Sequence, residues 1–259
     1  MAELYNKRPN DGGVSESIGF LLIFTIVIAG IGLVTLYGYP LLVQQQVSAD
    51  EKIMEKNMIV LQNDIKSLAY KTVPYKETSL KIGGGSLTVY NSSYSPSSST
   101  LTIREAGVPP YVDLFQPGEL RYESVSAQTD ISLQNGAVVM RPRIQTGSTM
   151  LAEPRWFYDA QTQTMVINLI NITSDDIIAK EGIGTVRMKL NGTEYPPPVE
   201  FPGGGTLTID YTPQSGQNYS VAWGNYFTNT LKMSGTGPYT LTGVKKLVVK
   251  KYEVKIEAI

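Results

Sequence analysis

Three carboxylates, Asp113, Glu119 and Glu123, are the side chains on which hydrolysis could rest in this sequence. Two carboxyl groups can flank a glycosidic bond, one acting as acid and the other as base or nucleophile. No spacing among the three singles out such a pair, and solvated loop charge is the simpler reading of them. The 259 residues include no His and no Cys. That double absence removes imidazole acid–base chemistry, thiolate nucleophiles, Ser-His-Asp triads, Cys/His zinc sites and disulfides together. No catalytic residue, cofactor-binding residue or metal ligand is expected, and the chain reads as a non-enzyme. Triple glycines at Gly83 and Gly203 suggest phosphate loops, but no Gly-Lys-Ser/Thr follows either one and no helix opens after them. They read as flexible lead-ins to strands.

Charge excludes a further class. Lys and Arg number 22 against 23 Asp and Glu, a net charge of −1, and the basic residues are scattered. A nucleic-acid partner needs a concentrated basic face, so none is expected. Charged residues make up only 17% of the chain, below the quarter or so of an ordinary soluble domain. Such a surface suits exposure to salt or crowding against copies of itself. Four Asn-x-Ser/Thr sequons, at Asn91, Asn171, Asn191 and Asn218, mark candidate N-glycosylation sites.

The elements that carry these residues divide into an anchor and a head. From Ile18 to Val43 no charged residue occurs. A spanning helix needs about 20 mostly apolar residues, so this stretch is long enough to cross a bilayer. A secretory signal peptide is the competing reading, but its apolar core would be shorter and would end in a small-x-small site. Lys7 and Arg8 precede the span and place the N-terminus in the cytoplasm, with everything past the span outside. Tyr37 and Tyr39 suit the far interface, and Pro40 behind Gly38 should loosen the helix there. Beyond the span, Val47, Met54, Met58, Leu61, Ile65 and Leu68 recur at helical spacing. This stripe most simply packs on the chain's own domain; contact with other subunits is the alternative. The helix should end near Tyr70, before Val73-Pro74.

The segment from Lys7 to Phe20, KRPNDGGVSESIGF, resembles the class III leader of archaeal type IV pilin-like proteins. In that family a short basic leader ends in a small residue, and a prepilin peptidase cuts there to leave the apolar helix as the new N-terminus. The resemblance implies processing at Gly12, Gly13 or Val14, although Pro9-Asn10-Asp11 separates the basic pair from the glycines where the family has them nearly adjacent. It also implies a role for Glu16, since an acidic residue near the mature N-terminus pairs with a neighbouring subunit's amine during assembly. The alternative for Glu16 is a place in the head-group region or at the helix start, where the dipole favours negative charge.

After residue 73 the pattern turns to short β-type runs: 86–90, 100–104, 165–170, 185–190, 206–211 and an alternating tail from Tyr252. Asn135-Gly136 and Asn191-Gly192 both read as hairpin turns. Residues 91–99, 195–205 and 212–217 read as loops, and only a short helical turn near Asp175–Ala179 is expected besides the long helix. The fold class is α+β: a long N-terminal hydrophobic helix, then an all-β head, either a sandwich or a curved antiparallel sheet. The divisions are a leader over 1–13, a helix over 14–72 with its transmembrane part at 18–43, and a head over 73–259.

GELRYESV from Gly118, TDISLQNGAVVMR from Thr129 and EPRWFYDAQTQTMVINLINI from Glu153 extend the resemblance to archaeal pilin-like envelope proteins over most of residues 14–190. The resemblance implies a subunit, major or minor, of a type IV pilus-like filament at the cell surface. Its partners would be copies of itself or related subunits, the prepilin peptidase, membrane lipid before assembly, and N-linked glycans. Two alternatives stand beside it. One is a permanently anchored adhesion protein whose β-sandwich head binds a ligand; the other is an extracytoplasmic hydrolase built on the carboxylates above.

Overall fold

A computed structural model describes residues 12–71, 73–91 and 99–259, with side chains from Glu16 onward. Helix α1 (Gly12–Leu33) passes through a π-helical turn, Val34–Gly38, into α2 (Tyr39–Tyr70). The Tyr39 N–H bonds the carbonyl of Val34, five residues back. Pro40 supplies the reason: it has no N–H, and its ring crowds the carbonyl four residues earlier. Widening the turn relieves that crowding. The chain forms two compact units, residues 1–48 and 49–259.

The second unit is built on a 12-stranded sheet. Its strands are β1 (Tyr75–Tyr90), β2 (Thr100–Glu105), β3 (Val112–Phe115), β4 (Glu119–Ser124), β5 (Thr129–Gln134), β6 (Ala137–Pro142), β7 (Thr149–Ala152), β8 (Phe157–Asp159), β9 (Thr164–Thr173), β10 (Ala179–Glu194), β11 (Val199–Thr212) and β12 (Tyr239–Ala258). The order is β3-β2-β11-β12-β10-β1-β4-β5-β6-β7, and β9 pairs with β12 and β8. All pairings are antiparallel except β9 with β12. The long β12 is the spine. Leu247 pairs with both Val199 of β11 and Met165 of β9, so those strands lie on its opposite edges. On the β11 side, β10 takes over from Lys251 onward. Between the pairs Glu194–Lys251 and Val199–Leu247 sits Pro196-Pro197-Pro198, which has no N–H to give a ladder.

Two apolar cores use this sheet. In one, Met54, Met58, Leu61, Ile65 and Leu68 of α2 are fully buried against residues such as Leu87, Tyr122, Ile131 and Val254. The helical stripe therefore packs on its own head, as its spacing implied, and the head's compact unit takes in α2 from Ala49. Ion pairs from Asp64 to Lys76 (3.3 Å) and from Asp50 to Lys81 (3.8 Å) line the seam with β1. The other core gathers Met165, Ile167 and Leu169 of β9, the early half of β12, and an aromatic group around Trp156 and Trp223. Leu169 and Ile170 of β9 are adjacent in sequence yet buried in different cores, as a strand covered on both faces requires.

Four sequence expectations need correction. Asn191-Gly192 is not a hairpin: it lies inside β10, where the register with β12 shifts between Leu190 and Gly192. The triple glycines are not strand lead-ins but bulges within β1 and β11. Gly84 and Gly204 take φ of 66° and 79°, and a Cβ on Gly85 would lie 2.2 Å from the Glu123 carbonyl oxygen. Most of the expected loop 195–205 is therefore strand β11. Finally, no helical turn forms at Asp175–Ala179; the additional helix is α3 (Ser220–Asn225), continued by a π-helical turn over Tyr226–Thr230.

Asn135-Gly136 does form the expected two-residue turn, joining β5 to β6 with φ of 48° and 72°. The turn is also buried. The Asn135 side-chain oxygen accepts the Ile170 N–H at 2.9 Å, and the Gly136 carbonyl accepts Gln62 Nε2 of α2 at 2.7 Å. One dipeptide thus ties the hairpin to β9 and to the helix. Asn135→Ala removes the acceptor and orphans the Ile170 N–H, so it should lower the unfolding free energy by about 1–3 kcal/mol, read as a reduced denaturation midpoint with an unchanged m-value.

Candidate functional site: an apolar anchor, a buried ion network and an aromatic groove

The apolar helix offers surface rather than chemistry. The helical path Glu16–Tyr70 contains the one helix among the described residues that is apolar and long enough to cross a membrane, and none of its most apolar window is buried. Phe20 and Leu36 are 72% and 70% exposed. The two threonine hydroxyls of the span are satisfied internally: Thr25 donates to the Leu21 carbonyl at 2.7 Å and Thr35 to that of Ile31 at 2.9 Å. That arrangement suits an environment with no water to offer. Glu16 is exposed, just past the first turn of α1. Gly12, Gly13 and Val14 open that helix, while Lys7, Arg8 and the rest of the leader to residue 11 lie outside the described residues.

The candidate carboxylates do not converge. Asp113 is exposed on β3, at the far end of the strand order from β4. Glu119, Arg121 and Glu123 alternate along one face of β4, and Glu119 is 7% exposed rather than a solvated loop charge. Arg121 donates to Glu119, to Glu123 at 3.2 Å and to the Gln214 side chain at 3.1 Å, and its guanidinium stands 4.3 Å from the Tyr90 ring centroid. Ser132 also donates to Glu119. Burial opposes the charge on Arg121, yet its partners together, Glu119 foremost and Glu123 with it, outweigh burial and hold the guanidinium above its ordinary pKa range. Both carboxylates are committed to one buried cation, which is a structural arrangement. Among the described residues no group of three His, Cys, Asp or Glu could hold a metal.

A solvent-open groove of about 670 Å³ lies elsewhere on the head. Its aromatic wall is Tyr70 at the end of α2, Tyr252 of β12 and Tyr195 beside the prolines. The Tyr70 and Tyr195 rings sit edge-on to Tyr252, at 5.3 and 5.9 Å between centroids. Arg155 stands 4.9 Å from the Tyr70 centroid and Lys250 Nζ 5.8 Å from that of Tyr195. Asn168 of β9 fixes the Arg155 segment, its side-chain amide donating to the Arg155 carbonyl while its own carbonyl accepts from Trp156 Nε1. Burial and the neighbouring Tyr195 push the Tyr252 hydroxyl up to about 12, so it stays neutral at physiological pH. No Asp or Glu lines the groove. Sequence reasoning passed over it because its parts come from α2, β9, β10 and β12 and share no local motif.

The profile of the family of unknown function DUF7289 matches residues 13–256, which take in the apolar helix together with the head. The chain belongs to DUF7289. No curated protein and no solved structure matches it. In this DUF7289 chain the sequons occupy different settings. Asn91 is buried, its amide donating to the Ser174 carbonyl at 2.9 Å, and Asn171 is half-buried in β9. Asn191 and Asn218 are exposed; the first donates to Glu253, and the second accepts the Ser220 N–H at 2.8 Å.

The ion network predicts an asymmetry. Arg121→Met strands the Glu119 charge in the interior and should cost about 3–5 kcal/mol. Glu123→Gln, whose carboxylate is 33% exposed, should cost less than about 1 kcal/mol. Chemical denaturation of the two variants against the parent checks the difference.

Proposed function

We propose that this chain is a pilin-like cell-surface subunit that assembles through its N-terminal hydrophobic helix, with the β-rich head outside the membrane. The observation that carries the reading is the bare, charge-free surface of Ile18–Val43, which no other described part of the chain covers. Each Leu, Ile or Phe left in water forgoes about 1.5–3 kcal/mol, so the helix must be covered. Lipid covers it before assembly, and helices of copies or related subunits cover it afterwards. Gly12, Gly13 and Val14 are the processing junction for a prepilin peptidase, and Glu16 is the carboxylate that meets a neighbour's new amine. The resemblance of the leader to archaeal type IV pilin-like proteins supports this reading.

A second reading has its own observation. The aromatic groove lies wholly within residues 49–259, where a permanently anchored adhesion protein would carry its ligand site. The two readings part at the leader. Mass spectrometry of the N-terminus, on chain recovered from its native envelope, should find a mature protein beginning at Gly13 or Val14. An intact leader carrying Lys7 and Arg8 would overturn the assembly reading and leave a plain anchored protein.

A further inference from the structure

We infer that the groove of Tyr70, Tyr195 and Tyr252 binds an acidic saccharide, a glycan carrying uronate carboxylates. This deepens the reading in which the head binds a ligand, and it holds whether or not the chain assembles.

Size, charge and shape carry the assignment. A volume of about 670 Å³ falls in the range of about 300–1,000 Å³ typical of small-ligand sites. Arg155 and Lys250 bring two cations to its lining, and no lining carboxylate neutralises them. The field therefore selects an anion. The aromatic side chains add a second requirement, because Tyr195 and Phe157 are 60% and 48% exposed, the most exposed described rings of a head on which Tyr75, at 42%, is the other exposed one. Flat apolar surface beside cations fits a pyranose, whose C–H face lies on a ring while its carboxylate meets a guanidinium or ammonium. Thr193, also exposed in the lining, offers a hydroxyl to the sugar's own hydroxyls.

An acidic peptide fits less well. A bound strand needs a run of unpaired backbone, and the groove's strands β9, β10 and β12 leave only a short one, Val248–Lys250 of β12 on the edge opposite the prolines. The Asn168 carbonyl, which a peptide would seek on β9, is taken by Trp156.

The test is calorimetric titration of the full-length protein in neutral detergent with trigalacturonate at low salt. Galactotriose and triglutamate serve as controls for charge without acid and acid without sugar. Saturable binding of trigalacturonate is expected, with both controls weaker by at least about tenfold. An R155Q/K250Q double variant and Tyr195→Ala should each weaken it by at least about tenfold, or about 1.4 kcal/mol. Both variants change exposed or half-buried positions, and an unchanged melting temperature shows that the head remains folded. No binding of trigalacturonate, or binding that ignores these substitutions, overturns the assignment. Equal binding of galactotriose removes the charge argument, and equal binding of triglutamate replaces the saccharide with an acidic peptide. None of these results bears on the processed N-terminus, so failure here is distinct from failure of the assembly reading.

Discussion

Apolar surface and water cannot remain in contact along most of a helix, and that constraint divides this molecule at Ser48. Up to that residue the helical path presents Ile, Leu, Phe and Val to its surroundings, with no partner among the described residues. From Ala49 the same path is amphipathic, and the sheet buries its stripe completely. The first part demands a cover from outside the chain. The second is itself the cover for half of the head, and without it the faces of β1, β4 and β5 would be open to solvent. Along this helical path the apolar positions change from all-round to one-sided.

Within the head, β12 performs the corresponding division. Tyr239 to Val249 feed the aromatic core, while Tyr252 to Ile256 feed the core under α2. The chain that runs beside it from β10 to β11 must tolerate that change of face. It does so through register shifts at Gly192 and Gly205 and a proline gap between them. The gap leaves Tyr195 outside regular pairing at the rim of the groove. The polar counterpart is the β4 face, where Arg121 collects two carboxylates and a ring in the interior. With no disulfide available, such directional contacts add specificity to what burial alone holds together.

The long apolar helix, its end near Tyr70 and the α2 stripe were legible because each depends on local pattern: hydropathy, a proline, helical spacing. The six strand segments were legible for the same reason, and Asn135-Gly136 gave a true hairpin. Asn191-Gly192 misled because the dipeptide permits a tight turn without requiring one, and the long antiparallel partner β12 held the strand straight. The triple glycines misled similarly, since a bulge and a loop both need residues free to take positive φ. Helix α3 had a readable signal. Tyr219, Ala222, Trp223, Tyr226 and Phe227 recur at helical spacing, but Gly, Asn and β-branched neighbours concealed it. Glu119 read as solvated because burial of a carboxylate depends on Arg121 and on strands distant in sequence. The groove was out of reach for the same reason.

The central claim is that the apolar helix is shielded while the head faces outward, and the absence of native cysteine makes it directly measurable. Single-cysteine variants at Ile28 in the span and Gln161 on the head surface would be exposed on intact cells to a membrane-impermeant maleimide. The account predicts rapid labelling of Gln161→Cys, and protection of Ile28→Cys until detergent disperses its surroundings. Rapid labelling at position 28 in intact cells, or protection at position 161 until lysis, would contradict it.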